Sequence, residues 1–261
     1  MVSIEVASQA GACYGVERAL KMVTDAAEKG GEVQTLGPLI HNPLVVSDLE
    51  RHGVTVADDV EAATAPTVVI RSHGVVPAVV DRARARGLQV VDATCPYVKK
   101  VQHAAERLGR EGYRVIVVGE SGHPEVEGIL GHAQGAAVVG SVADLDHVEL
   151  GRKVGVVVQT TQSRSLLREV VAELSCRVED LRVLNTICEA TSERQAAAAE
   201  LAERADAMVV IGGRNSANTT RLAEICASAC ANSHHVERAD ELDPSWFTGV
   251  SLVGITAGAS T

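Results

Sequence analysis

Residues 90–108, VVDATCPYVKKVQHAAERL, pass from an apolar β-branched run through a short polar turn to Cys95, then into a helix-favouring segment. The same succession recurs at residues 6–23, VASQAGACYGVERALKMV, around Cys13, and at residues 183–201, VLNTICEATSERQAAAAEL, around Cys188. The three cysteines are 82 and 93 residues apart, so each unit takes close to a third of the 261-residue chain. Self-similarity at a long period marks a repeated structural unit. It predicts three similar α/β units, drawn at 1–92, 93–183 and 184–261, each presenting one thiol at a strand-to-helix junction. If the units pack about a pseudo-threefold axis, the three sulfurs meet at its centre.

The flanking sequence supports this reading. Short apolar runs predict buried strands at SIEVAS, VQTLG, TVVIRS, QVVDA, RVIVVGE, AAVVGS, KVGVVVQ, RVLNT, AMVVIGG, HHVER and SLVGITA. Helix-forming stretches lie between them: GVERALKMVTDAAEKG, which ends at Gly30 and Gly31, VKKVQHAAERLGREG, and the Ala/Glu/Arg-rich SERQAAAAELAERA. Hydrophobic residues make up 46% of the chain but aromatics only 2%, so the cores must be aliphatic. Val-rich strands alternating with helices predict parallel α/β layering. The net charge of −10 and the lack of a basic run argue against a nucleic-acid groove or an anionic membrane surface. No signal peptide or membrane-length apolar run is present, and a cytoplasmic protein is expected. Six cysteines in such a chain are expected to include metal ligands, not disulfides. Cys176, Cys226 and Cys230 are expected to be buried.

A cysteine at a helix N-terminus faces free N–H groups and partial positive charge, which favours the thiolate and metal ligation. Three such thiolates suit an iron–sulfur cluster with one iron left open, or a Cys₃ zinc site. Ligands of open α/β sheets bind beyond the carboxyl ends of strands. Those ends carry His41 in GPLIHN, His73 in IRSHG, and His123 and Glu125 in GESGHPEVEG. They also carry Gln159, Thr160 and Thr161 in VVQTTQS, Ser216 and Asn218 in IGGRNSANT, and Ser260 in ITAGAS. Imidazoles, hydroxyls and an amide with few Lys or Arg read as a compact anion site, assisted by helix N-termini. Taken singly, each has a bland reading as a solvated loop residue or a helix cap. Glu127 reads as a surface residue. Neither GxGxxG nor GxxxxGK[ST] occurs, so a dinucleotide or ATP site of those types is not supported.

The set GACYGVERA, GPLIHNPLVVSDL, RSHGV, VDATCPYVKKV, GHPEVEG, QTTQS, ICEATSERQ, GGRNSANTTRL and TAGAS, in this order, resembles the LytB/IspH family of 4-hydroxy-3-methylbut-2-enyl diphosphate reductases. The resemblance runs from Cys13 to Ser260. It implies a trefoil of three α/β domains with small parallel sheets around a central [4Fe-4S] cluster. The implied activity is reductive dehydroxylation of the allylic diphosphate to isopentenyl and dimethylallyl diphosphates, the last step of the methylerythritol phosphate route. Carried over residue by residue, it implies Cys13, Cys95 and Cys188 as cluster ligands and Glu125 as the proton-delivering acid. Thr160 falls near the substrate hydroxyl. His41, His73, His123, Ser216, Asn218 and Ser260 fall around the diphosphate, with Gln159 and Thr191 in supporting positions. Near the anionic diphosphate the Glu125 pKa is expected to rise and the histidines to be protonated. Reduced ferredoxin or flavodoxin is the implied electron donor.

Three departures stand out. Ala217 occupies the second position of a loop where the family has two serines before the asparagine, removing one hydroxyl donor worth on the order of 1 kcal/mol. Glu189 is an unexpected acid after the third cysteine. The family continues beyond TAGAST with a helix and a short tail, without which a face of the last domain is expected to be exposed and Ser260 poorly held. Competing readings are a paralogous [4Fe-4S] reductase acting on another substrate, a non-catalytic iron–sulfur protein and a Cys₃ zinc hydrolase.

Overall fold

The computed structural model describes residues 2–261. Among these residues twelve strands form three four-stranded sheets in which every pairing is parallel. The chain divides into two compact units, one of Met1–Val16, His41–Val45 and Cys188–Thr261, the other of Glu17–Ile40 and Val46–Ile187.

The larger unit holds two sheets. The first has the order β3-β2-β4-β5, from β2 (Val33–Leu36), β3 (Val54–Ala57), β4 (Thr67–Ile70) and β5 (Gln89–Asp92). The second has the order β7-β6-β8-β9, from β6 (Arg114–Val118), β7 (Ala137–Val139), β8 (Lys153–Val158) and β9 (Asp180–Val183). The smaller unit holds the third sheet, β1-β12-β10-β11, from β1 (Ser3–Val6), β10 (Ala207–Ile211), β11 (Ser233–Val236) and β12 (Leu252–Ala257). In the first two sheets the chain winds outward in both directions from two central strands; in the third it does so only from β10 to β11, and the place beside β12 is taken by β1 from the start of the chain. β1 pairs with β12, so residues 3–6 belong by hydrogen bonding to the sheet of the last third and not to that of residues 33–92, with which the repeat grouped them. β3 had no counterpart in the sequence reading: VTVA is a four-residue edge strand, too short to stand out as an apolar run.

The helices that matter here are α1 (Tyr14–Glu28), α2 (Pro43–Arg51), α3 (Pro77–Ala85), α4 (Pro96–Arg110), α5 (Pro124–Leu130), α6 (Arg164–Arg177), α7 (Glu189–Ala202) and α8 (Ala217–Ala229). Proline begins α3, α4 and α5, where its fixed φ suits the first turn and its missing N–H is no loss. The cores are aliphatic, as the composition demands. One face of the second sheet packs Ile116, Val118, Val154, Val156 and Val158 against Leu167, Val170 and Leu174 of α6. Its other face packs Val115, Val117 and Val157 against Val101, Ala105 and Leu108 of α4 and Val126 and Ile129 of α5. In the third sheet one face is covered by α7 and α8. The opposite face is open along β1, where Ile4 is 69% exposed, and β12 and β1 are the last and first strands of the chain, not joined by a crossover helix. Among the described residues, no helix is long and apolar enough to cross a membrane.

Two of the three remaining cysteines are buried as expected. Cys226 and Cys230 lie in the core under the third sheet, and burial, with Cys230 adding a smaller effect, pushes the Cys226 thiol up to about 11. Cys176 departs from expectation and is exposed. It lies two residues beyond buried Leu174 on α6, and a step of two residues carries a side chain to the opposite side of a helix.

Candidate active site

The polar residues singled out above follow the two central strands of each sheet: β2 and β4, β6 and β8, β10 and β12. In open parallel sheets the loops that follow the central strands are where ligands bind. The cysteines follow the fourth strand of each sheet, β1, β5 and β9.

In the larger unit, β6 ends at Val118 and the chain turns through Gly119–Gly122 into α5. His123 is the N-cap of α5, and its Nδ1 accepts the Glu125 backbone N–H at 3.1 Å. An acceptor Nδ1 puts the proton of the neutral ring on Nε2, which becomes a donor. Pro124 starts the helix and turns Glu125 inward, while Glu127 faces solvent as the sequence suggested.

Glu125 is 2% exposed. Its Oε1 accepts the Thr160 backbone N–H at 2.7 Å and its Oε2 pairs with the Thr160 hydroxyl, also at 2.7 Å. Burial raises its pKa, the two Thr160 bonds oppose the rise, and the Glu120 charge adds to it; the balance lies at about 7. The carboxyl is therefore poised to exchange a proton near neutrality. Gln159, wholly buried, holds the neighbouring backbone: its Oε1 accepts the Glu120 N–H at 2.9 Å and its Nε2 donates to the Thr161 hydroxyl at 3.1 Å.

His73 lies beyond β4, its ring edge-on to that of His123 with centroids 5.7 Å apart. The turn that carries it depends on Gly74. There φ is +73°, and a Cβ would come within 2.6 Å of Gln102 Nε2 and 3.0 Å of Thr94 Cγ2. Gln102 on α4 also closes on Gly128 of α5, so the His73 turn, the helix after Cys95 and the helix of Glu125 pack through one buried amide. Sequence reasoning passed over Gln102 because it looks like an ordinary polar helix residue. Only its 5% exposure, with Nε2 lacking a hydrogen-bond partner, marks it. Arg71 was also passed over. Its buried Nε has no partner, and burial lowers its pKa from the ordinary arginine range. Its guanidinium lies against Gly37, and it stands two residues before His73 in the chain.

In the smaller unit the carboxyl edge of the third sheet gathers a group of its own. Ser216 caps α8, its hydroxyl accepting the Thr219 N–H at 3.4 Å, and both Ser216 and Asn218 are 3% exposed. Both side-chain heteroatoms of Asn218 are buried without a hydrogen-bond partner, an arrangement that is unfavourable unless something polar binds there. Gly213 packs against the His41 carbonyl, leaving no room for a Cβ, which would lie 2.5 Å from that oxygen. Asn42 Nδ2 donates to the Ser260 carbonyl at 2.7 Å while its Oδ1 accepts the Leu44 N–H at 3.0 Å. Ser260 is thus held by Asn42, contrary to the expectation of a loose terminus. Cys13 N–H donates to the Ala259 carbonyl at 3.2 Å, tying the first cysteine to the same edge. Thr191, in the first turn of α7, is buried.

Cys95 and Cys188 are the N-caps of α4 and α7, and Cys13 immediately precedes α1. The six cysteines form no disulfide, and the three junction cysteines are half-buried. Glu189 occupies the exposed first position of α7, where the helix dipole favours an acid. Among the described residues no three His, Cys, Asp or Glu side chains gather closely enough to hold a single metal ion. A four-iron cluster makes a different demand, since each thiolate binds its own iron, and three half-buried thiols at helix N-termini are a donor set that fits it.

Comparison with known proteins adds an independent line. The family model described as "LytB protein" matches residues 4–261. A Geobacter sulfurreducens protein named 4-hydroxy-3-methylbut-2-enyl diphosphate reductase is 52% identical over all of this chain and 93% of its own length. A protein of the same name from Citrifermentans bemidjiense is 50% identical over 100% of this chain and 93% of its own. Two solved structures are similar. One is described as (E)-4-hydroxy-3-methyl-but-2-enyl diphosphate reductase, the terminal enzyme of the non-mevalonate pathway; it is 46% identical, with TM-score 0.73 over 100% of this chain and 95% of that one. The other, the corresponding Plasmodium falciparum reductase, is 26% identical, with TM-score 0.93 over 100% of this chain and 84% of that one.

Proposed function

Because the chain belongs to the LytB protein family, we propose that it reductively removes the hydroxyl of 4-hydroxy-3-methylbut-2-enyl diphosphate, giving isopentenyl and dimethylallyl diphosphates, with Glu125 and Thr160 as its proton path. The observation that carries this assignment of roles is the pair of bonds between the buried Glu125 carboxyl and the backbone and hydroxyl of Thr160. The reaction consumes two electrons and two protons. One proton leaves with the hydroxyl as water and the other goes to carbon.

Cys13, Cys95 and Cys188 would hold a [4Fe-4S] cluster, which when bound supplies electrons and an open Lewis-acidic iron for the hydroxyl. The protein side of the chemistry follows from the geometry. The Thr160 N–H fixes Oε1 as an acceptor, so a proton taken up by Glu125 would sit on Oε2 and reverse the bond that the Thr160 hydroxyl donates to it in the structure. Thr160 accepts that proton while offering its own to the substrate oxygen, a relay in which neither side chain has to move. Once the proton is gone, the same two bonds stabilise the carboxylate. With a pKa of about 7, Glu125 gives and regains a proton at little cost near neutral pH. His123 supplies an Nε2 donor, and His41, His73, Ser216, Asn218 and Ser260 are assigned to the diphosphate. Binding at Asn218 would satisfy an amide that has no partner in the protein. A cytoplasmic location is part of the same reading, consistent with six cysteines outside disulfides.

The test is anaerobic turnover of 4-hydroxy-3-methylbut-2-enyl diphosphate by reconstituted protein with a reduced viologen dye, with iron and acid-labile sulfide assayed on the same sample. Dye oxidation accompanied by both product diphosphates is expected. A full cluster without turnover would refute this substrate, and zinc without sulfide would refute the cluster.

A further inference from the structure

The reaction draws two electrons from outside the chain, and two surface depressions are rich in basic side chains. The first lies at the amino ends of β6 and β8, around Arg114, Arg152 and Lys153. It is neutralised locally, Arg152 meeting Glu179 at 2.6 Å and Lys153 meeting Asp180 at 3.6 Å. The second, of about 480 Å³, lies along α4. Lys100, His103, Arg107 and Arg110 recur there at helical spacing and are all exposed, and the facing wall is the segment Val183–Thr186. No carboxylate lines it. Glu106 and Glu111 meet Arg110 and Arg107 only at 4.0 Å, the outer limit of an ion pair, and Glu111 pairs closely with Arg182 instead. In a chain of net charge −10 this is a concentrated positive face.

Its position in the chain matters as much as its charge. α4 starts directly after Cys95, and Thr186 is two residues before Cys188. Both walls of the depression are thus continuous with segments that carry proposed iron ligands. Lys100 lies five residues past Cys95, about 8 Å along the helix axis. We propose that this α4 face docks a small acidic electron-carrier protein. The inference rests on the reductase reading above. Each one-electron carrier is oxidised once, two are consumed per substrate, and the two accompanying protons go to water and to carbon. Complementary charge raises the encounter rate of such partners and makes it sensitive to salt.

The test compares two reductants on the reconstituted holoenzyme, a viologen dye and a reduced acidic ferredoxin. For Lys100→Glu/Arg107→Glu, dye-driven turnover should stay within about twofold of wild type. Ferredoxin-driven kcat/KM should fall at least about tenfold through KM, with a flattened dependence on ionic strength. Arg168→Glu, at an exposed position of α6 on the other face of the same sheet, should change neither. Wild-type ferredoxin-driven kcat/KM in the reversed variant, or an equal loss in Arg168→Glu, would overturn the proposal. So would duplex DNA displacing ferredoxin at equal charge concentration, which would mark a generic polyanion face. Should the reversed variant fail to fold, Lys100→Ala/Arg107→Ala is expected to show about a threefold loss by the same comparison, and no loss would overturn the proposal. A wild type that binds ferredoxin but does not turn over with dye would instead refute the reductase reading.

Discussion

At the scale of single residues, the proposed chemistry centres on Glu125. Glu125→Gln keeps the shape of the protonated carboxyl: its amide oxygen can accept the Thr160 N–H and its NH₂ can face the Thr160 hydroxyl. Substrate binding should survive while turnover falls about 10²–10⁴-fold, the usual contribution of a positioned general acid. Near-normal rates would remove Glu125 from the proton path. The same substitution has a signature in stability. The folded pKa, about 7, lies above the ordinary carboxylate value of about 4.5, so the folded protein holds the extra proton in that window. The stability contribution is complete below about pH 4.5 and is lost as pH rises through 7. Melting temperatures followed from pH 5 to pH 8 should show Glu125→Gln gaining on wild type, by on the order of 3 kcal/mol at the upper end. Thr160→Ser keeps the relay hydroxyl and should retain most activity, whereas Thr160→Val should lose about as much kcat as Glu125→Gln with a much smaller change in KM.

At the scale of elements, the site depends on turns that admit no side chain. Gly74→Ala would put a Cβ at positive φ and into Gln102. A loss of about 1–3 kcal/mol in chemical denaturation is expected, together with weaker substrate binding as His73 is displaced. Gln102→Ala makes room, so Gly74→Ala/Gln102→Ala should be less destabilised than the sum of the two single changes. Much at this scale was legible beforehand. Eleven of the twelve strands are apolar runs bounded by turn residues, and the three helices named from composition all form. β3 escaped because a short edge strand leaves little periodicity. The exposed side of Cys176 escaped because a cysteine on either side of a helix reads alike in sequence.

At the scale of the whole molecule, the three aliphatic sheet cores are built without the junction cysteines, none of which belongs to the buried core. Cys13→Ser, Cys95→Ser and Cys188→Ser should each lower iron and sulfide content and abolish turnover, while far-UV circular dichroism stays that of the wild type. Loss of secondary structure in any of them would show that the thiol is structural. The repeat and the parallel α/β class were determined by sequence alone, because hydrophobic periodicity and turn chemistry act over a few residues and are written locally. The loops bearing His41, His73, Glu125, Thr160, Ser216 and Ser260 could be named for the same reason. Tertiary structure alone decided that β1 pairs with β12, that Gln102 and the Nε of Arg71 lie buried, and that Glu125 meets Thr160 across 35 residues of chain. Register, desolvation and pKa depend on which distant segments exclude water from one another, and no local pattern records that.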